Sequence, residues 1–118
     1  MAIIKGKKLV NRTLTKIKST IQKNPDLPEK DKTQIMNLLE TLKVEINELS
    51  RSHAEEAESI VGFIERSTHE SSRKKKNPTL LKLSIDGISE SVKEFEASHP
   101  KLAETVNFLS SALANSGF

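Results

Sequence analysis

The residues best equipped for chemistry in this sequence are three histidines, His53, His69 and His99. His53 is followed three residues later by Glu56, and Glu65 precedes His69 by four. Glu-x-x-His pairs build di-iron centres in helix bundles, but those centres need two such motifs and further carboxylates turned toward one core. Here the spacings differ and only His53 falls on an apolar stripe. A polar residue in that position fixes the register of packed helices. No metal site is expected. His99 stands immediately before Pro100, at the start of a helix, where capping or exposure is its expected role.

Paired acids such as Glu55–Glu56 and Glu94/Glu96 could suggest acid–base work, yet on a helix they read as solvated surface. The serines include none in a Gly-x-Ser-x-Gly turn. With four glycines in all, no Gly-rich phosphate loop can be written. The chain has no cysteine, which excludes disulfide scaffolds, thiolate zinc sites and cysteine nucleophiles. The expectation is a protein that is not an enzyme, takes no cofactor and has no small-molecule substrate.

Charge offers a second kind of chemistry. The run Arg73-Lys74-Lys75-Lys76 could anchor to nucleic-acid phosphates or to an anionic membrane surface. Residues 1–24 carry seven basic side chains and no acid, whereas residues 25–70 hold eleven acids against five bases. The formal charge of +3 is thus the remainder of opposed blocks, a pattern that suits a chain folding basic segments against acidic ones. Aromatics amount to 3%, without Trp or Tyr, so the stacking side chains of single-strand binders are missing. The expected reading of Arg73–Lys76 is a solvated connector, with polyanion contact as the alternative. The first helix could lie on a membrane surface, but packing against the second is the better reading.

The elements that must carry these residues are helical. Hydrophobic residues make up only 35% of 118, and the shortage of aromatics argues against a sandwich or barrel. The apolar residues that exist recur at helical spacing. Val10, Leu14, Ile17 and Ile21 mark one helix over about 8–23. Asn24-Pro25 ends it, and Asp26-Leu27-Pro28-Glu29 reads as a capping box opening the next. Ile35, Leu39, Leu42, Ile46, Leu49, His53, Ala57, Ile60 and Ile64 then keep a heptad rhythm with one stutter, predicting a single coiled-coil-like helix over 27–68. Ser67–Ser72 reads as its fraying end and 71–78 as a basic connector. Helices over 79–97 and 100–115 follow. The fold class is all-α: a hairpin or bundle of about four helices forming one domain over 1–118.

A helix from Glu29 to Arg66 would be about 55 Å long, more than its short neighbours could cover. The expectation is therefore a homodimer or higher oligomer, or a larger protein partner, meeting the stripe from Ile35 to Ile64. No stretch approaches a membrane span, and a cytoplasmic location is expected.

Phe95-Glu96-Ala97-Ser98-His99-Pro100-Lys101-Leu102, with the ending Ala112-Leu113-Ala114-Asn115-Ser116-Gly117-Phe118, resembles a family of short bacterial all-helical proteins of unknown function that share an F-E-x-x-H-P-x-L element and a Gly-containing tail. Asn24–Glu29 followed by Ile35–Leu39 is similar to their front half, while 47–78 looks like an extension. The resemblance implies a helical fold and carries no activity. Its motif reads as a structural turn in which His99-Pro100 sets the helix–helix angle and Phe95 and Leu102 are buried beside it. The function expected from the whole is a non-enzymatic helical interaction module, an adaptor or accessory subunit, with nucleic-acid association as the alternative.

Overall fold

The structure is a computed structural model that describes the backbone of residues 2–73, 75 and 77–115, and side chains from Lys8 to Ala114 apart from Lys74 and Lys76. Five helices follow one another: α1 (Ala2–Lys23), α2 (Glu29–Ser50), α3 (Ala54–Ser72), α4 (Pro78–Val92) and α5 (Pro100–Asn115). A 3-10 turn, Lys93–Phe95, prolongs α4. No strand occurs among the described residues, so the chain is all-α.

Helix directions follow from side-chain contacts. Asn47 Nδ2 donates to Asn11 Oδ1 at 3.0 Å, Lys18 pairs with Glu40, and Lys32 Nζ donates to the Gln22 carbonyl at 3.2 Å. These contacts run in opposite order along the two helices, so α1 and α2 are antiparallel. α2 and α3, joined by three residues, are too long to lie end to end in a molecule of 39 × 24 × 23 Å, so α3 runs back along α2 and in the direction of α1, and Lys16, Ser19 and Thr20 line one cleft with Glu65, Thr68 and His69. Around the bundle α1 packs on α2 and α3, α4 on α3 and α5, and α5 on α2. The helices thereby close a ring measuring 39 × 24 × 23 Å.

The expected helix over 27–68 is two helices. α2 stops at Ser50, and His53, at φ −134° and ψ 61°, leaves helical geometry before α3 begins. The Leu49 carbonyl accepts from the amides of both Ser52 and His53, at 3.2 and 2.8 Å, and the His53 carbonyl accepts from Ala57 N at 3.0 Å. One helix ends and the next begins within three residues, without Gly or Pro. The repeated spacing of four, Leu49 to His53 to Ala57, is where the chain turns back. Serine favours such a place because its hydroxyl competes with the backbone hydrogen bonds of a helix interior.

This break removes the 55 Å rod. Ile35, Leu39, Leu42, Ile46, Leu49, Ala57, Ile60 and Ile64 are all at most 1% exposed, within a core shared with Val10, Leu14, Ile17 and Ile21 of α1 and Leu102, Val106 and Leu109 of α5. The stripe read as a surface for a second chain is thus covered by the chain's own helices. Only His53 of that set is at the surface.

Smaller departures have local causes. Asp26 does not cap α2: Pro28 occupies the cap position, and Asp26 N donates to Asn24 Oδ1 in a turn of its own. Ser67–Ser72 does not fray. Thr68 and Ser72 hydroxyls donate back to the Ile64 and Thr68 carbonyls, and Ser67, Thr68 and Ser71 are buried. The connector is therefore 73–77, and α4 starts on a built cap, the Asn77 side chain accepting from Thr79 N and Leu80 N with Pro78 in the first turn.

Candidate interaction surfaces

The two turns between consecutive helices at one end of the bundle share a construction. Leu49-x-x-Ser52-His53-x-x-x-Ala57-Glu58 joins α2 to α3, and Phe95-x-x-Ser98-His99-x-x-x-Ala103-Glu104 joins α4 to α5. His99 N donates to the Phe95 carbonyl at 2.7 Å and Ala103 N to the His99 carbonyl at 3.1 Å, repeating the bonds around His53. In each turn the serine hydroxyl meets the next residue's imidazole, Ser52 Oγ to His53 Nδ1 at 2.8 Å and Ser98 Oγ to His99 Nδ1 at 2.9 Å. Both imidazoles stand edge-on to one buried ring, Phe95, with centroids 5.2 and 5.8 Å away. Leu102 is buried beside it, and Pro100 opens α5. His53 thus stands at the N-terminal boundary of α3, where its side chain makes no capping hydrogen bond, and not within a helix seam. The repeated Ser-His pair, four residues after a large apolar residue and four before an alanine, was the sequence signal for the first turn.

Nothing here assembles a metal centre: among the described residues no three His, Cys, Asp or Glu side chains come together. Glu65 and His69 share the α1–α3 cleft with Lys16, and no further carboxylate lines it.

Exposed apolar side chains lie elsewhere than the stripe. Phe63 of α3 lies over Gly87 of α4, and Ser59, Gly62 and Arg66 line a shallow hollow beside it. Leu83 and Leu80 fall four and seven residues before Gly87, on the same side of α4. They are 61% and 41% exposed. The α3–α4 seam therefore carries two leucines and a half-buried phenylalanine at the surface. Leu9, Val44 and Phe108 are also exposed, on α1, α2 and α5.

The basic segments sit differently from one another. Arg73 Nη1 donates to Oε1 of the buried Glu70 at 2.9 Å, tying the connector to the end of α3. Lys75 is exposed, and Lys74 and Lys76 lie outside the described residues. On α1, Lys8, Arg12, Lys16 and Lys23 are exposed, and the helix has no acid. Lys18, on its flank toward α2, holds the Glu40 carboxyl below the usual carboxylate range, first by hydrogen bonding and then by its charge, with Lys43 adding to the effect.

No helix among the described residues is long and apolar enough to cross a membrane. Comparison with curated proteins and with solved structures finds no match. One family model matches residues 35–118, from the first third of α2 to the end of the chain. The matched segment takes in 47–78, which the sequence suggested as an extension, and leaves α1 and the Asn24–Pro28 turn outside it. By that match the chain belongs to the family described as Domain of unknown function (DUF4404).

Proposed function

We propose that this chain is a non-enzymatic protein–protein interaction module, an adaptor or accessory subunit, which meets its partner with the outer seam of α3 and α4. The observation that carries the reading is the pair Leu80 and Leu83, left at the surface beside Phe63 while the other apolar stripes are consumed in the core. Leu80 and Leu83 stand three residues apart on one helix face, whereas the other exposed large hydrophobics, Leu9, Val44 and Phe108, stand singly on three different helices. The pair makes a groove-filling helix face, read as anchors at successive turns. Arg66 beside it, with the Lys82–Asp86 ion pair at 3.1 Å on α4, supplies a charged rim.

The test compares capture from native lysate by the wild-type chain and by Leu80→Ser/Leu83→Ser, with circular dichroism melting on both. A protein held in proportion by the wild type and lost with the variant, at unchanged melting temperature, supports the reading. Equal capture by the two chains rejects it. A second copy of the chain as partner would register in light scattering as a doubled 13.1 kDa mass that the variant halves.

A further inference from the structure

Among its described residues, α1 turns four apolar side chains into the core and leaves Leu9 exposed. Val10, Leu14, Ile17 and Ile21 are at most 2% exposed, so this side is committed to α2 and α3. The opposite side carries Arg12, Lys16 and Lys23, at spacings of four and seven that keep them in one line, with Lys8 beside them. From Lys8 to Lys23 the helix rises about 22 Å. Among the described residues none of these four is ion-paired; the one cross-helix pair of α1 uses Lys18, on the flank.

A row of like charges one turn apart works against its own helix. The chain has 16 acids, yet none lies in the first 25 residues, where one at position 15, 19 or 20 would relieve the row. Of the four cations, only Lys16, which lines the α1–α3 cleft with Glu65, and Lys23, in the last turn of α1, have a favourable charge or dipole near them. At its C-terminal end the row reaches the end of the bundle where α3 finishes, which brings exposed Arg73 and Lys75 to the same end as Lys23.

We propose that the outer face of α1 is a contact surface for the phosphate backbone of a nucleic acid, engaged without reading sequence. Independent phosphates along one strand match a straight row of flexible cations. An anionic membrane is the less suitable polyanion, because an interfacial helix must insert an apolar side, and of the described apolar residues of α1 only Leu9 is outside the core. Exposed aromatic side chains for stacking bases are missing from α1, so the contact is with the backbone alone.

The experiment is fluorescence anisotropy of the full chain with a labelled mixed-sequence duplex DNA, the single strand of the same sequence, and the matching RNA, between 50 and 200 mM KCl. Four phosphate contacts on a duplex give a slope of log K against log salt near −3.6, so affinity should fall roughly 10²-fold over that range. Arg12→Ser/Lys16→Ser removes two contacts and should bring the slope to about −1.8, while Lys43→Ser, a cation on α2, leaves it unchanged. Preference among the three probes identifies the nucleic acid. No binding at 50 mM salt, or a double variant with the wild-type slope, overturns the proposal. So does tighter binding to phosphatidylserine vesicles than to every nucleic acid, which would assign the face to a membrane.

Discussion

The ring of Phe63 lies so close over Gly87 that a methyl group at position 87 would meet Cδ1 and Cε1 at 2.6 Å. Glycine in mid-helix costs about 1 kcal/mol relative to alanine, and here the cost is the condition for α3 and α4 to pack with a phenylalanine between them. Gly87→Ala should therefore destabilise the chain by about 1 kcal/mol, the overpacking exceeding the gain in helix propensity. In a Phe63→Ala background the same substitution should stabilise by about 1 kcal/mol, because only the propensity term is left. Denaturant unfolding of the four chains of this cycle measures both. A stabilising Gly87→Ala in the wild type would show that the ring moves aside freely.

The stripe residues of α2 and α3 are interior to one chain, so truncating them should cost what core truncation costs. Leu42→Ala is expected to lose about 3 kcal/mol of unfolding free energy, with the solution mass unchanged. A drop in mass with little loss of stability would instead place Leu42 between chains.

The start of α4 rests on one side chain. Asn77 accepts from two amides of the first turn, at 3.1 Å each, and Asn77→Ala should lower stability by about 1 kcal/mol. Asn77→Asp should keep most of it, which separates the cap from any general effect of altering the connector.

Glu40 gives a dependence on pH. Its carboxyl is held below the usual range by Lys18, so the folded state binds its proton less readily than the unfolded chain. The resulting stabilisation is present above the unfolded value and is lost as pH falls through the folded one. Glu40→Gln should melt below the wild type at neutral pH, and the difference should close on acidification through the carboxylate range. Because Glu40 is exposed, high salt should shrink the difference as well.

Much of this architecture is legible in the order of residues. The stripes Val10–Ile21, Ile35–Leu49, Ala57–Ile64 and Leu102–Leu113 lie in the core, because spacing of three and four puts side chains on one helical face whatever covers it. The turn at Arg51–His53 is not legible from periodicity, since the same spacing continues across it and neither Gly nor Pro marks it. Ser-His there resembles a helix interior until it is set beside Ser98-His99, whose proline declares the turn. Asn77-Pro78-Thr79 carries the signature of a helix start, but the four consecutive cations before it give the segment the composition of a connector. The surface seam of Phe63, Leu80 and Leu83 was hidden for another reason. Periodicity identifies an apolar face without telling which neighbour fills it, and only the packing of α3 on Gly87 leaves those leucines outside.

The fold depends on the chain reversing at Arg51–His53, which places the stripe from Ile35 to Ile64 in the core of a bundle. The chain has no cysteine of its own, so spin labels can be attached at Lys30→Cys near the start of α2 and His69→Cys near the end of α3. A double electron–electron resonance distance between them should not exceed the 24 Å width of the bundle plus the reach of the two labels. A distance near the roughly 58 Å rise of one continuous helix between those positions would contradict it.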